Sequence, residues 1–349
     1  MSFRLAIHTD HREHGDQAEV YRDNLELFVL AERLGFESAW IRSYKFRTRG
    51  DAAHFPGGMP SPFVFLAALA ARTSRLRLGT GVVPLPLENP VRVAEDAAVL
   101  DALSGGRFEL GVSNGGQPDT AHALGVDLPA DREEKKAEYL RRLTLLESAL
   151  DGEPLHGTDQ VLNPPAAGLS GRIWESALTE LTGTESARRG HGVLIGTTQT
   201  VPAEVTAAAY HAALPVGAEP RVGIIFHLHV AHSREAALAA LRPDVETTYR
   251  WGREWLPRAE TLEEKAAAIN VHYGTPEQIA ESIAGFAPFP LATDLQVSVA
   301  YGTTDHRQRV EAVHAVVDDI APGLGWRPTD VGEPLVAAAA PALEEGVVA

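Results

Sequence analysis

What most constrains this chain is a repeated alternation of short apolar runs with segments of helical periodicity, clearest between Arg75 and Asp127. There, apolar runs at Leu76 to Val83 and Phe108 to Val112 bracket Val91 to Leu103, whose apolar residues recur at helical spacing. Two strands joined through a helix form a parallel pair. The same period places strands at Phe3 to Thr9, Glu37 to Ile41, Arg172 to Ser176, Gly192 to Gly196, Val222 to Val230 and Asp294 to Val299. Helices are predicted at Ala18 to Leu34, Phe63 to Arg72, Arg132 to Leu150, Ser186 to Arg189, Ala203 to Leu214, Arg234 to Leu241, Pro276 to Ile283 and His306 to Ile320. Eight such alternations, with strands apolar enough to be covered on both sides, predict an α/β fold of the (β/α)8 TIM-barrel type. An open doubly wound sheet normally uses five or six strands, so the count decides against it.

A single barrel domain over residues 1–326 is expected, with insertions near 152–171 and 243–273 and a flexible C-terminal tail over 327–349. Both insertions exceed ordinary loop length and read as lids or interaction surfaces. The 349 residues hold no cysteine, which excludes disulfides, thiolate ligands and thiol nucleophiles. A formal net charge of −16 without a basic stripe argues against nucleic acid as a partner. No run is long and apolar enough for a membrane span, and the first residues lack the hydrophobic segment of a signal peptide, so cytoplasmic residence is expected.

In a barrel, ligands sit where the strands end. The candidates are therefore His8, Thr9 and His11, Tyr44 and Lys45, Gly81 and Val82, Ser113 to Gln117, Glu175 to Ala177, Thr197 to Gln199, His227 to His229, and Tyr301. His227 and His229, two apart on one strand, share a face, and with His8 or His54 they raise the idea of a metal site. No carboxylate is placed to complete it, so no metal is expected.

The wording of the Arg75 to Asp127 stretch resembles the bacterial-luciferase-like, flavin-dependent monooxygenases. Their pattern is matched by Leu78 to Thr80, Leu85 to Glu95, Leu100 to Gly111 and Gly125 to Asp127. Further matches at Ala31 to Trp40, Glu175 to Gly190 and Gly274 to Glu277 extend the resemblance over most of the chain. It implies a non-prolyl cis peptide at Gly81–Val82, bulging against a flavin ring. It also implies a flavin-phosphate site formed by Glu175, Ser176 and the Thr182 to Ser186 segment, with Gly183 and Thr184 supplying N–H groups at a helix start. Arg132 matches a family arginine near the phosphate, where a guanidinium donates two parallel bonds. Ser113, Asn114 and Ala177 complete the expected cofactor contacts.

Two positions depart from the family. Its catalytic histidine is replaced by Tyr44, followed by Lys45; a phenol titrating near pH 10 is a poor base at neutrality. Asn114 stands where an arginine usually helps hold phosphate. The resemblance thus implies an enzyme that takes reduced FMN, supplied by a separate NAD(P)H-dependent flavin reductase, and uses O2 to oxygenate a small organic substrate. It also implies a homodimer joined through helices near Leu66 to Ala71. Two alternatives stay open: a deazaflavin-dependent hydride transfer on the same fold, and a flavin-binding relative without turnover.

Overall fold

The computed structural model describes residues 3–9, 16–46, 59–196, 201–254, 256–302 and 305–328. Its strands are β1 (Arg4–Thr9), β2 (Ser38–Ile41), β3 (Arg77–Thr80), β4 (Val83–Pro84), β5 (Phe108–Ser113), β6 (Ile173–Ser176), β7 (Gly192–Ile195), β8 (Val222–Val230), β9 (Val271–Gly274) and β10 (Asp294–Ser298). All pairings are parallel. Eight of the strands run β1-β2-β3-β5-β6-β7-β8-β10, and β10 pairs with both β8 and β1, which closes the ring. Helices lie between the strands, so the (β/α)8 barrel is the observed fold. No helix among the described residues is long and apolar enough to cross a membrane.

Alternate residues of each strand point into the ring. Its middle is filled by Trp40 and Trp174, whose rings meet edge to face at 5.1 Å, together with Ala6 and Leu194. The indoles fit because glycine faces them. A Cβ on Gly79 would lie 2.2 Å from the Trp40 ring, and one on Gly192 would lie 2.6 Å from that of Trp174. Beneath them, at the strand beginnings, is a charged layer. Arg4 holds Asp294 through two bonds of 2.9 and 2.8 Å, and buried Glu109 accepts from Arg77 and from the Trp174 indole. Burial raises the Glu109 pKa against the pull of Arg77. The N-terminal end of the barrel is therefore filled, which leaves the C-terminal end to hold a ligand.

Three predicted stretches differ from expectation. The 152–171 segment is not a lid: Leu162, Ala166 and Leu169 are buried in the main core, and the segment joins the end of the Arg132–Leu150 helix to the start of β6. It therefore covers the face opposite the strand ends. The 243–273 stretch is mostly regular structure. The predicted helix at Arg234 continues through Pro243 to Trp251, and Leu262–Ala268 and β9 follow. Proline removes one backbone donor from a helix, but here Leu241 and Val245 on either side pack in a second small core with Leu262, Val271 and Tyr273. That packing overrides the local breaker. Thirdly, the helix expected at Ser186 begins at Glu180.

Candidate functional site

The third strand does not run straight to the rim. Gly79 is paired with Glu109 and Val83 with Val112, so three residues on this side, Thr80 to Val82, stand opposite two, Leu110 and Gly111. That is a bulge of one residue. Thr80 anchors it through Oγ1, which donates to the Gly111 carbonyl at 2.9 Å and accepts from its N–H at 2.8 Å. The Gly81–Val82 peptide bond is cis. Glycine is required at Gly111, where a Cβ would fall 1.9 Å from the Thr80 carbonyl oxygen.

Above the tryptophan layer lies a cavity of about 220 Å³ at the strand ends. Gly81 and Val82 form one side of it, with His8 beside them; Leu178, Leu194 and Ile225 add apolar surface. His227, Tyr301, Thr248 and Trp251 form the other side, and Arg42 and Ser176 also line it. The His227 and Tyr301 rings lie 4.3 Å apart, and the Tyr301 hydroxyl is 3.0 Å from Thr248 Oγ1. Thr248 and Trp251 are delivered by the helix that continues through Pro243.

Ser176 belongs also to a second cavity of about 410 Å³, which opens between the Arg132–Leu150 helix and the start of the Glu180–Arg189 helix. Its lining holds Arg132, Lys135, Lys136 and Arg189 beside Glu133, Glu175 and Glu185, together with Asn114, Thr179 and Thr182. Lys136 pairs with Glu185 at 2.7 Å, whereas Arg132 and Lys135 have no side-chain partner among the described residues. Thr179 caps the Glu180–Arg189 helix in a box with Thr182, so the first-turn N–H groups of Glu180 and Leu181 are the ones left without an intrahelical acceptor.

The predicted residues divide accordingly. Gly81, Val82 and Ser176 line the strand-end cavity, and Asn114, Arg132, Glu175 and Ser176 line the second. Ser113 closes β5 beside Pro84 and lines neither. Ala177 is buried and its N–H donates to the Leu194 carbonyl at 3.0 Å. Gly183 and Thr184 fall past the first turn; the Gly183 N–H is bonded to the Thr179 carbonyl, and a Cβ there would sit 2.6 Å from the Thr206 carbonyl oxygen. Gly183 is thus a helix-crossing glycine. The expectation that it offers a free N–H is corrected, because the cap is at Thr179.

Glu175 is occupied within the protein. It accepts from Tyr139 at 2.7 Å and from Arg189 through two bonds of 3.0 Å, and it lies 2.9 Å from His191, which in turn reaches Glu147 at 2.9 Å. Burial alone would raise its pKa, but the bond from His191 and the charge of Arg189 outweigh it and bring the pKa to about 2. Tyr44, the candidate acid–base group, lines neither cavity; its hydroxyl points to Gln117 at 3.4 Å, and burial raises its pKa further. Lys45 pairs with Glu88. His11, His54 and Thr197 to Gln199 lie outside the described residues.

His227 and His229 do share a face, but His229 Nδ1 lies 3.0 Å from the Tyr301 carbonyl, and no carboxylate joins them among the described residues. Thr248 and Trp251 come from the 243–273 stretch expected to form a lid or interaction surface, whereas Arg42, Lys136 and Thr179 were missed from sequence. For Arg42 the signal was present: it has the same parity as Trp40, whose ring is inside the barrel.

A parallel barrel with a bulged third strand, a cavity at its strand ends and an adjoining cleft is a fold with room for a small molecule at the usual place. Residues 1–289 match the family model for luciferase-like monooxygenases, and the chain belongs to that family. It is 43% identical over 121 residues to 4-hydroxyprotoasukamycin monooxygenase of Streptomyces nodosus subsp. asukaensis, an overlap of 35% of this chain and 30% of that protein. Limonene 1,2-monooxygenase of Rhodococcus erythropolis is 38% identical over 131 residues, 37% of this chain and 31% of the relative. The matched stretch thus spans about a third of these curated relatives. Among solved structures, the oxygenating constituent of 3,6-diketocamphane monooxygenase from Pseudomonas putida, in complex with FMN, superposes with a TM-score of 0.73 at 16% identity, covering 94% of this chain and 100% of that one. An F420-dependent secondary alcohol dehydrogenase superposes with a TM-score of 0.70 at 14% identity, covering 93% and 99%. These structural likenesses establish the shared fold.

Proposed function

We propose that this protein uses reduced FMN and O2 to oxygenate a small organic substrate. The carrying observation is that a cavity beside a bulged strand and a cleft lined by Arg132 and Lys135 share one residue, Ser176. Their volumes of about 220 and 410 Å³ together fall in the range of roughly 300–1,000 Å³ usual for ligands of this size. The residues fit the cofactor chemically. Arg132, Lys135, Lys136 and the N–H groups of Glu180 and Leu181 would hold the phosphate, and Gly81–Val82 would meet the ring. When bound, reduced FMN supplies the electrons with which O2 is activated. Leu178, Leu194, Ile225 and Trp251 would exclude water around the reacting atoms, and Thr248 holds the Tyr301 hydroxyl.

A relative named as an oxygenase component, the flavin-dependent trigonelline monooxygenase of Acinetobacter baylyi, supports a separate NAD(P)H-dependent flavin reductase as partner. The superposition on an F420-dependent enzyme favours one second reading, deazaflavin-dependent hydride transfer in the same cavity. Mixing the protein with chemically reduced FMN and O2 and following flavin absorbance separates the readings. Bound FMN whose reoxidation differs from that of free FMN supports the oxygenase. Reoxidation at the free rate marks a binding protein, and binding of deazaflavin alone supports the second reading. Replacing Arg132 with Ala should weaken FMN binding by about 1–3 kcal/mol, measured by fluorescence titration.

A further inference from the structure

His8, Ser298 and His227 stand on three adjacent strands, β1, β10 and β8. The ladder pairs Ile7 with Val297 and Ser298 with His227, so the next residue after Ile7, His8, falls beside Ser298. Neighbours across parallel strands are about 4.8 Å apart with side chains on the same face. His8 and His227 line the strand-end cavity, and Ser298, fully buried between them, has a hydroxyl with no partner among the described residues. The row therefore sets two imidazoles into one wall of the cavity, which Arg42, Ser176, Thr248 and Tyr301 also line.

The two imidazoles are not equivalent. The ring of His227 lies against that of Tyr301 at 4.3 Å. Nε2 of His8 instead lies 3.1 Å from where a Cβ on Gly81 would project, beside the bulge. The remaining charged or titratable groups facing the cavity are Arg42, just past β2, and Tyr301 beyond β10. Arginine keeps its proton, and Tyr301 shares its hydroxyl with Thr248.

Building on the FMN reading, we propose that His8 is the catalytic proton carrier of this enzyme, taking the place that Tyr44 leaves vacant. The reaction consumes FMNH2, O2 and substrate and yields FMN, oxygenated substrate and water; both hydrogens of FMNH2 end in that water. His8 accepts one proton at Nε2 and passes it to the oxygen atom that departs, returning to its starting state. Without substrate, the same two hydrogens leave as hydrogen peroxide. Histidine suits the task because its ordinary titration lies near neutrality.

The test compares wild type with His8→Asn and His227→Asn, using chemically reduced FMN and O2 in a stopped-flow instrument between about pH 5.5 and 9. His8→Asn should slow reoxidation of bound flavin at least about tenfold and abolish its pH dependence, whereas His227→Asn should keep that dependence. Oxidised FMN should bind all three within about threefold, and in spectra of protein carrying 15N-histidine the ring signal lost in His8→Asn should shift when FMN is added to wild type. A wild-type rate and pH profile in His8→Asn, or a His8 signal indifferent to FMN, overturns the assignment. Should His8→Asn fail to fold, His8→Gln takes its place. If wild type binds no FMN at all, the functional reading itself falls; if it binds FMN and His8→Asn behaves like wild type, only the role of His8 falls.

Discussion

Glu175 shows how a single carboxylate can be committed to architecture beside a site. Its partners Tyr139, Arg189 and His191 come from separate elements and consume its acceptor capacity. Its pKa of about 2 lies below its ordinary 4.5, so its stabilising contribution is whole above about pH 4.5 and is lost as the pH falls toward 2. His191 opposes it in sign: burial disfavours its charge, but bonds to Glu147 and Glu175 raise its pKa above 6.5, so its contribution is present below that value and fades as pH rises. Replacing Glu175 with Gln should destabilise the fold by about 3 kcal/mol near pH 5–6, with the loss shrinking toward pH 3, as measured by calorimetry. Single side chains were the least legible scale. Tyr44 was chosen from its place in a family pattern, but its orientation toward Gln117 depends on a contact 73 residues away in sequence. Arg42 was legible by parity with Trp40 and was passed over.

Elements were read well where periodicity and cap agreed. Strand β5 and the helix Pro90–Ser104 lie within a residue or two of expectation, because Asn89 caps the helix and Gly105 closes it in the left-handed region at φ 68°. The Glu180–Arg189 helix misled because threonines at 179, 182 and 184 all look like caps, and only the reciprocal bonds of Thr179 and Thr182 choose among them. Substituting Gly183 with Ala should therefore press on Thr206 and lower the melting temperature of the cofactor-free protein, by about 1–3 kcal/mol of stability, while Thr184→Ala should be nearly neutral. The 152–171 segment tests the division between the barrel's two faces. Leu169→Ala should cost about 2–4 kcal/mol by leaving a cavity in the core, with FMN affinity unchanged in titration.

At the scale of the whole molecule, the eightfold alternation was legible because buried parallel strands are apolar throughout and their connections are helical. Closure itself was an inference from the count; no residue pattern states that β10 joins both β1 and β8. Strand β9 was not legible, since its four residues VHYG carry too little pattern to stand out. On the outer surface, Val64, Val99 and Leu103 are exposed apolar side chains on the helices Pro62–Ala70 and Pro90–Ser104. We propose this face as the homodimer contact. The double change Val64→Glu with Leu103→Glu should then give a monomer in analytical ultracentrifugation, and an unchanged sedimentation coefficient would remove the face from consideration.

Ser176 is the doorstep between an inner room and an outer porch. A molecule anchored by its tail on the porch can be exchanged without unpacking the room, so traffic in coenzyme and traffic in substrate need not share one entrance. Under the proposed function, such a layout suits a protein that borrows its reducing power from another and hands the spent carrier back after each turnover.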